Sequence, residues 1–145
     1  LPLVGVLLRT IIADSRSIHD YEALCQAVQE SGFEISLVIS AQLVAEALGE
    51  RYALEHNLPI ERFPAEWNRY GRAASPIRNR IMAQHAEALI ALMHPPSTGT
   101  KNMIKNAHQA GLKIYVKIIP TSNEKKNGAT SQTSSRDKGA INWNS

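Results

Sequence analysis

Two guanidinium groups and a carboxamide occupy consecutive positions in Ala74-Ser75-Pro76-Ile77-Arg78-Asn79-Arg80-Ile81-Met82. These residue types can hold an oxyanion, since arginine offers a planar fork of N–H donors and asparagine adds an amide donor. Pro76 suits a helix start, because it has no N–H to lose and its φ is pre-set. The spacing therefore predicts a helix from Pro76 to about Ala86, with Arg78, Asn79 and Arg80 in its first turn. Helix N-termini carry partial positive charge and favour acidic residues. Arginines placed there call for an external anion. The alternative is pairing of Arg78 and Arg80 with surface carboxylates such as Glu66 or Glu87.

A second donor-rich stretch is Ser97-Thr98-Gly99-Thr100-Lys101-Asn102. Gly99 would let the backbone approach a ligand, Thr100 and Lys101 add side-chain donors, and a helix opening there points N–H groups outward. An ordinary N-cap by Thr98 or Thr100 explains the same residues. The spacing is not that of a P-loop. Trp67 and Tyr70 offer a stacking surface for a base or an apolar cap for the core. His94 stands in a loop as a candidate acid–base group beside Pro95 and Pro96, where it is equally a solvated imidazole. Glu46 could reach a ribose hydroxyl or simply offset a helix dipole. The five histidines show no metal-ligand spacing and Cys25 is the only cysteine, so neither a metal nor an internal disulfide is expected. No G-x-S-x-G nucleophile elbow occurs.

These groups must be positioned by the elements around them. Val4 to Ala13, Glu34 to Ser40, Leu58 to Phe63, Ala88 to Met93 and Leu112 to Ile118 read as strands. The first and fourth are near-continuous apolar runs of the kind buried on both faces of a parallel sheet. Helices are predicted over Tyr21 to Ser31, with Asp20 as N-cap and Gly32 as stop, over Gln42 to His56, and over Lys101 to Ala110. Pro64 to Ala74 reads as a polar, aromatic loop. Alternation of strands and helices predicts an α/β, Rossmann-like three-layer domain over residues 1–120, with a mainly parallel sheet of about five strands. Ligands of such sheets bind outside the carboxyl ends of the strands. That edge should collect Asp14-Ser15-Arg16-Ser17, Ser40 and the loop from His94 to Lys101.

Composition narrows the partners. The 145-residue chain has 43% hydrophobic and 20% charged residues and a formal net charge of +3. Residues 121–145 hold Lys125, Lys126, Arg136 and Lys138 against Glu124 and Asp137, so most of the excess charge lies there. This polar stretch reads as a disordered basic tail, and nucleic acid is expected only through it. No apolar run approaches a membrane span, and Leu1 to Leu8 lacks the charged region of a signal peptide. A cytoplasmic protein without membrane contact is the expectation.

The stretches IIADSRSI, DYEALCQA, LPIERFPAEWNRYGRAASPIRNRIMAQHAEALIAL and STGTKNMIKNAHQAGLKIYVK resemble the YspA-like (YpsA-related) branch of the SLOG superfamily, which also includes DprA and the LOG-type phosphoribohydrolases. The resemblance covers roughly Thr10 to Lys117. It implies a nucleotide-related ligand, with Ser15 and Arg16 matching a G-S-R turn, Arg78 and Asn79 a P-I-R-N motif, and Gly99, Thr100 and Lys101 an S-x-G-T-K motif. Related domains form homodimers. The chain departs from the pattern at Asp14 and Ser75, which stand where the family has glycine, and after Ser40, where a glycine-rich segment is missing. Met103 replaces the glutamate of the LOG-type enzymes. The expected function is binding of a nucleotide or nucleotide-derived small molecule, with no resident cofactor. Ser15, Arg16, Ser40, Arg78, Asn79, Arg80, Gly99, Thr100 and Lys101 would line the site. N-glycosidic hydrolysis of a nucleoside monophosphate is the alternative, with Glu46 or Asp14 as the carboxylate. A ligand-dead scaffold for a protein partner is the third reading.

Overall fold

The computed structural model describes residues 7–14, 20–41, 48–94, 98–120 and 140–142. Strands β1 (Leu7–Asp14), β2 (Glu34–Ser40), β3 (Ile60–Arg62), β4 (Ala88–Met93) and β5 (Lys113–Ile118) alternate with helices α1 (Tyr21–Ser31), α2 (Leu48–Glu55), α3 (Trp67–Tyr70), α4 (Ala74–His85) and α5 (Thr98–Gln109). The five strands are parallel, in the order β3-β2-β1-β4-β5. This is a Rossmann-like three-layer α/β fold, as the alternation predicts. The chain reverses direction across the sheet between β1 and β4.

Successive residues of the inner strands serve opposite layers. Ile11, Ile39, Leu89, Ala91, Ile114 and Val116 pack with α4 and α5. Ile12, Val38, Ile90, Leu92 and Tyr115 pack with α1 and α2. All six residues of β4 are buried, which explains its unbroken apolar run. Thr10 is fully buried within β1, and its hydroxyl donates to the Leu8 carbonyl at 3.0 Å, so the polar atom is satisfied. Register slips between Leu8 and Arg9. The Arg9 Nε then donates to the His85 carbonyl at the end of α4, 2.9 Å away.

Gly49 in α2 marks a close approach. A Cβ there would stand 2.9 Å from the Cβ of Ile12, a core residue on a central strand that cannot retreat. Gly49→Ala is expected to lower stability by about 1–3 kcal/mol through overpacking. Urea denaturation would check this, and an unchanged midpoint would show that α2 is free to lift away from the sheet.

The Asp20 side chain accepts from Ala23 N–H at 3.0 Å, and α1 ends at Gly32 in the left-handed region. The expected start of the following helix at Gln42 lies outside the described residues, as do the ends proposed at Val4 and most of the tail. Three other expectations are corrected. Residues 67–73 form α3 and a 3₁₀ turn (Gly71–Ala73) rather than a loop, with Tyr70 N–H reaching the Glu66 carbonyl at 3.0 Å. Gly71, at φ 56°, makes the bend between them, a conformation with little steric cost for glycine. That 3₁₀ turn leads directly into α4, which therefore begins at Ala74 and not at Pro76. Finally, residues Ala140–Asn142 of the tail form β6, antiparallel to β5. The backbone of β5's outer edge can recruit a strand whatever its side chains, and composition could not foresee that.

Candidate functional site

The carboxyl edge of the sheet is built by Asp14 closing β1, Ser40 closing β2, Arg62 closing β3 and Met93 closing β4. The amino end of α4 lies at the same edge, because the helix runs antiparallel to the strands it covers. Its far end meets Arg9 near the start of β1, and Arg78 near its beginning reaches the Ala41 carbonyl just beyond β2.

Arg78 is the central group. Its Nε donates to Asn79 Oδ1 at 2.9 Å, one terminal nitrogen to Ser75 Oγ at 2.9 Å, and the other to the Ala41 carbonyl at 3.4 Å. All three acceptors are neutral. The side chain is half-buried, and among the described residues no carboxylate pairs with it. Burial pulls the guanidinium below its ordinary pKa, the direction expected of a cation drawn out of water without a counter-charge. Arginine nevertheless stays charged. A partly desolvated cation without a counter-charge is a ready partner for an oxyanion.

Helix geometry separates the other residues of this motif. Because α4 starts two residues before Pro76, Arg78 lies beyond its first turn, and the opening N–H groups of the helix are not aimed from Arg78, Asn79 or Arg80. Ala74 N–H is itself bonded to the Gly71 carbonyl. Arg80 is exposed, and two residues along a helix is about 200° of rotation. It does not share a face with Arg78. Asn79 is 5% exposed, and its amide nitrogen donates to Asn102 Oδ1 at 2.9 Å. With Arg78 on its oxygen and Asn102 on its nitrogen, Asn79 joins α4 to α5.

Ser40 is the last residue of β2. It is 2% exposed and its hydroxyl bonds the Glu50 carboxylate. Glu50 is buried beneath the edge and receives Arg62 bidentately, at 3.0 Å through Nε and 2.7 Å through a terminal nitrogen. Burial pushes the Glu50 carboxyl up, but the hydrogen bonds from Arg62 and Ser40 and the Arg62 charge outweigh it, so the group lies below the ordinary glutamate range. This pair pins the carboxyl ends of β2 and β3 to α2. Glu50 and Arg62 stand twelve residues apart, with no local spacing signal to join them.

Of the second donor stretch, Thr98 opens α5, Thr100 is buried, and Gly99 and Lys101 are exposed. Gly99 has open space where a Cβ would sit, so no close backbone approach within the fold demands glycine there. His94 bonds the Ile119 carbonyl through Nδ1 at 2.6 Å, tying the ends of β4 and β5 together. Trp67 stays 56% exposed and does not cap the core. Asp14 is partly buried at the reversal point between β1 and β4. Ser15, Arg16 and Glu46 lie outside the described residues. Among the described residues no group of three or more His, Cys, Asp or Glu is close enough to hold a metal ion, and no helix is long and apolar enough to cross a membrane.

The edge thus brings together Arg78, Ser75, Asn79 and Asn102, of which Ser75 and Asn102 were not among the expected site residues. Asn102 and Asn106 are four apart on α5 and share a helix face, the signal by which they could have been found. Compared with models of known protein families and with curated proteins, the chain gives no match.

Proposed function

We propose that this chain binds a nucleotide or nucleotide-derived small molecule at the carboxyl edge of the sheet, with Arg78 receiving its phosphate. One observation carries the reading: a half-buried guanidinium held by neutral acceptors alone, with no carboxylate partner among the described residues. A phosphate would supply the missing charge. The strand order adds support, since sheets that reverse direction as this one does between β1 and β4 bind ligands at that point of the carboxyl edge. The amino end of α5 opens near the same edge and adds favourable dipole. Kinship with SLOG-type domains and a cytosolic location belong to the same proposal, and the Rossmann-like strand order supports the former.

Thermal unfolding in the presence of nucleoside monophosphates, cyclic nucleotides and ADP-ribose derivatives tests the reading. A ligand at 100 times its Kd is expected to add about 2.7 kcal/mol of stability. A panel that produces no shift would overturn the nucleotide reading and leave a scaffold that binds protein.

A further inference from the structure

Arginine carries five N–H bonds. In Arg78 three are engaged: Nε–H by Asn79, one terminal N–H by Ser75 and one by Ala41. Among the described residues, one N–H therefore remains on each terminal nitrogen, two donors left for an anion. What fixes the guanidinium in this pose is a chain of amides. Asn79 Oδ1 faces Arg78 Nε only in one of the two orientations of its amide, because the reverse would set an NH₂ against an N–H. That orientation is selected by Asn102 Oδ1, which accepts from Asn79 Nδ2 at 2.9 Å. Asn102 is held in turn by Asn106 Nδ2, which donates to its Oδ1 at 3.1 Å and to its carbonyl at 2.9 Å. The polarity runs unbroken from α5 to Arg78.

We infer that Asn79 and Asn102, backed by Asn106, are positioning residues that lock the Arg78 guanidinium so that its two remaining N–H bonds form a bidentate oxyanion seat. This rests on the nucleotide reading above and assigns Asn79 a role behind the anion site, not a ligand contact. The network also crosses between α4 and α5, so occupancy of the seat is coupled to the packing of the two helices on that face of the sheet. Asn79 is buried deeply enough for an unsatisfied amide there to be costly, which gives the lock its rigidity.

The test uses the full chain, with AMP and inorganic phosphate as probes. The variants are Asn102→Ala, Asn102→Asp and Arg78→Lys. Titration gives the affinity, and ¹⁵N NMR follows the Arg78 Nε–H, assigned by its disappearance in Arg78→Lys. In the unmodified chain the Nε–H should be resolved and slow to exchange. Asn102→Ala should release it and weaken AMP binding about tenfold, the effect of losing one well-placed hydrogen bond. Asn102→Asp keeps the oxygen that accepts from Asn79 and Asn106, so the slow Nε–H should return, an outcome that a general loss of packing would not produce. An Nε–H unaffected by Asn102→Ala, or one released with AMP affinity unchanged, overturns the lock while leaving the anion site standing. Equal binding of AMP and phosphate by the unmodified chain and Arg78→Lys overturns the site itself and the lock with it.

Discussion

Arg62→Ala is expected to destabilise the fold at neutral pH, because it leaves the buried Glu50 carboxylate without its counter-charge. The Arg62 side chain is 52% exposed, so water can partly replace it, whereas Glu50 is 5% exposed and cannot be rehydrated without moving α2. In the variant, among the described residues, only the Ser40 hydroxyl remains to hold the carboxylate. Burial then dominates and pushes the Glu50 carboxyl up instead of down. The pH dependence follows with opposite signs. In the unmodified chain the depressed group contributes stability that is present above the ordinary glutamate pKa and is lost as pH falls through its lowered value. In Arg62→Ala the raised group costs stability at neutral pH, and this cost fades as the carboxyl protonates. The gap between the two proteins should therefore narrow on acidification from pH 7 towards about 4. Urea denaturation at both pH values measures it. Replacing both partners with apolar side chains, as in Glu50→Leu with Arg62→Met, should recover much of the loss, because no unpaired charge is left behind. A constant gap between pH 7 and pH 4 would mean that Glu50 is not the group responsible.

Arg78→Ala is expected to weaken AMP binding by about 2–3 kcal/mol, the range for hydrogen bonds to a charged group, or roughly 30- to 150-fold. Lysine at the same position should recover little of it. Its ammonium is a compact, strongly hydrated point charge without the planar fork, and it cannot reach Asn79, Ser75 and the Ala41 carbonyl while offering a donor pair to a phosphate. Because half-buried pairs are screened less than exposed ones, the affinity supplied by Arg78 should persist as ionic strength rises. Arg80→Ala is the matched control, since Arg80 is exposed and turned away from the edge. It should alter affinity by less than about 1 kcal/mol, as an exposed charge does. Isothermal titration of AMP against the three variants at two salt concentrations decides the matter. Comparable losses at Arg78 and Arg80 would point to a diffuse positive surface in place of a seat.

The apolar periodicity was enough to define the architecture. The runs Val4 to Ala13, Glu34 to Ser40, Ala88 to Met93 and Leu112 to Ile118 correspond to four of the five parallel strands, with β2 and β4 at their predicted bounds and β1 ending one residue later, at Asp14. β4 was the most legible, because a strand buried on both faces has to be apolar at nearly every position and all six of its residues are buried. The cap at Asp20 and the stop at Gly32 were legible because they satisfy backbone groups within a few residues of themselves. The start of α4 was not legible. Pro76 is tolerated anywhere in a first turn, and the 3₁₀ turn before Ala74 supplies the preceding carbonyl through contacts that carry no composition signal.

The candidate site shows the same division. Sequence by itself determined which chemistry is present: an arginine-rich segment, a run of hydroxyl and amide donors, and a strand pattern that sends both to one edge of a parallel sheet. Only tertiary structure decided which of those groups face one another. It set Arg78 against Asn79, Ser75 and Ala41, turned Arg80 away, spent Ser40 on Glu50, and joined Asn79 to Asn102 across twenty-three residues of chain. The physical reason is range. Secondary structure is selected by interactions within a few residues, where side-chain type and period suffice. The pairing of polar groups at a sheet edge depends on the rotation and start of each helix, and a shift of two residues in α4 turns a side chain through about 200°.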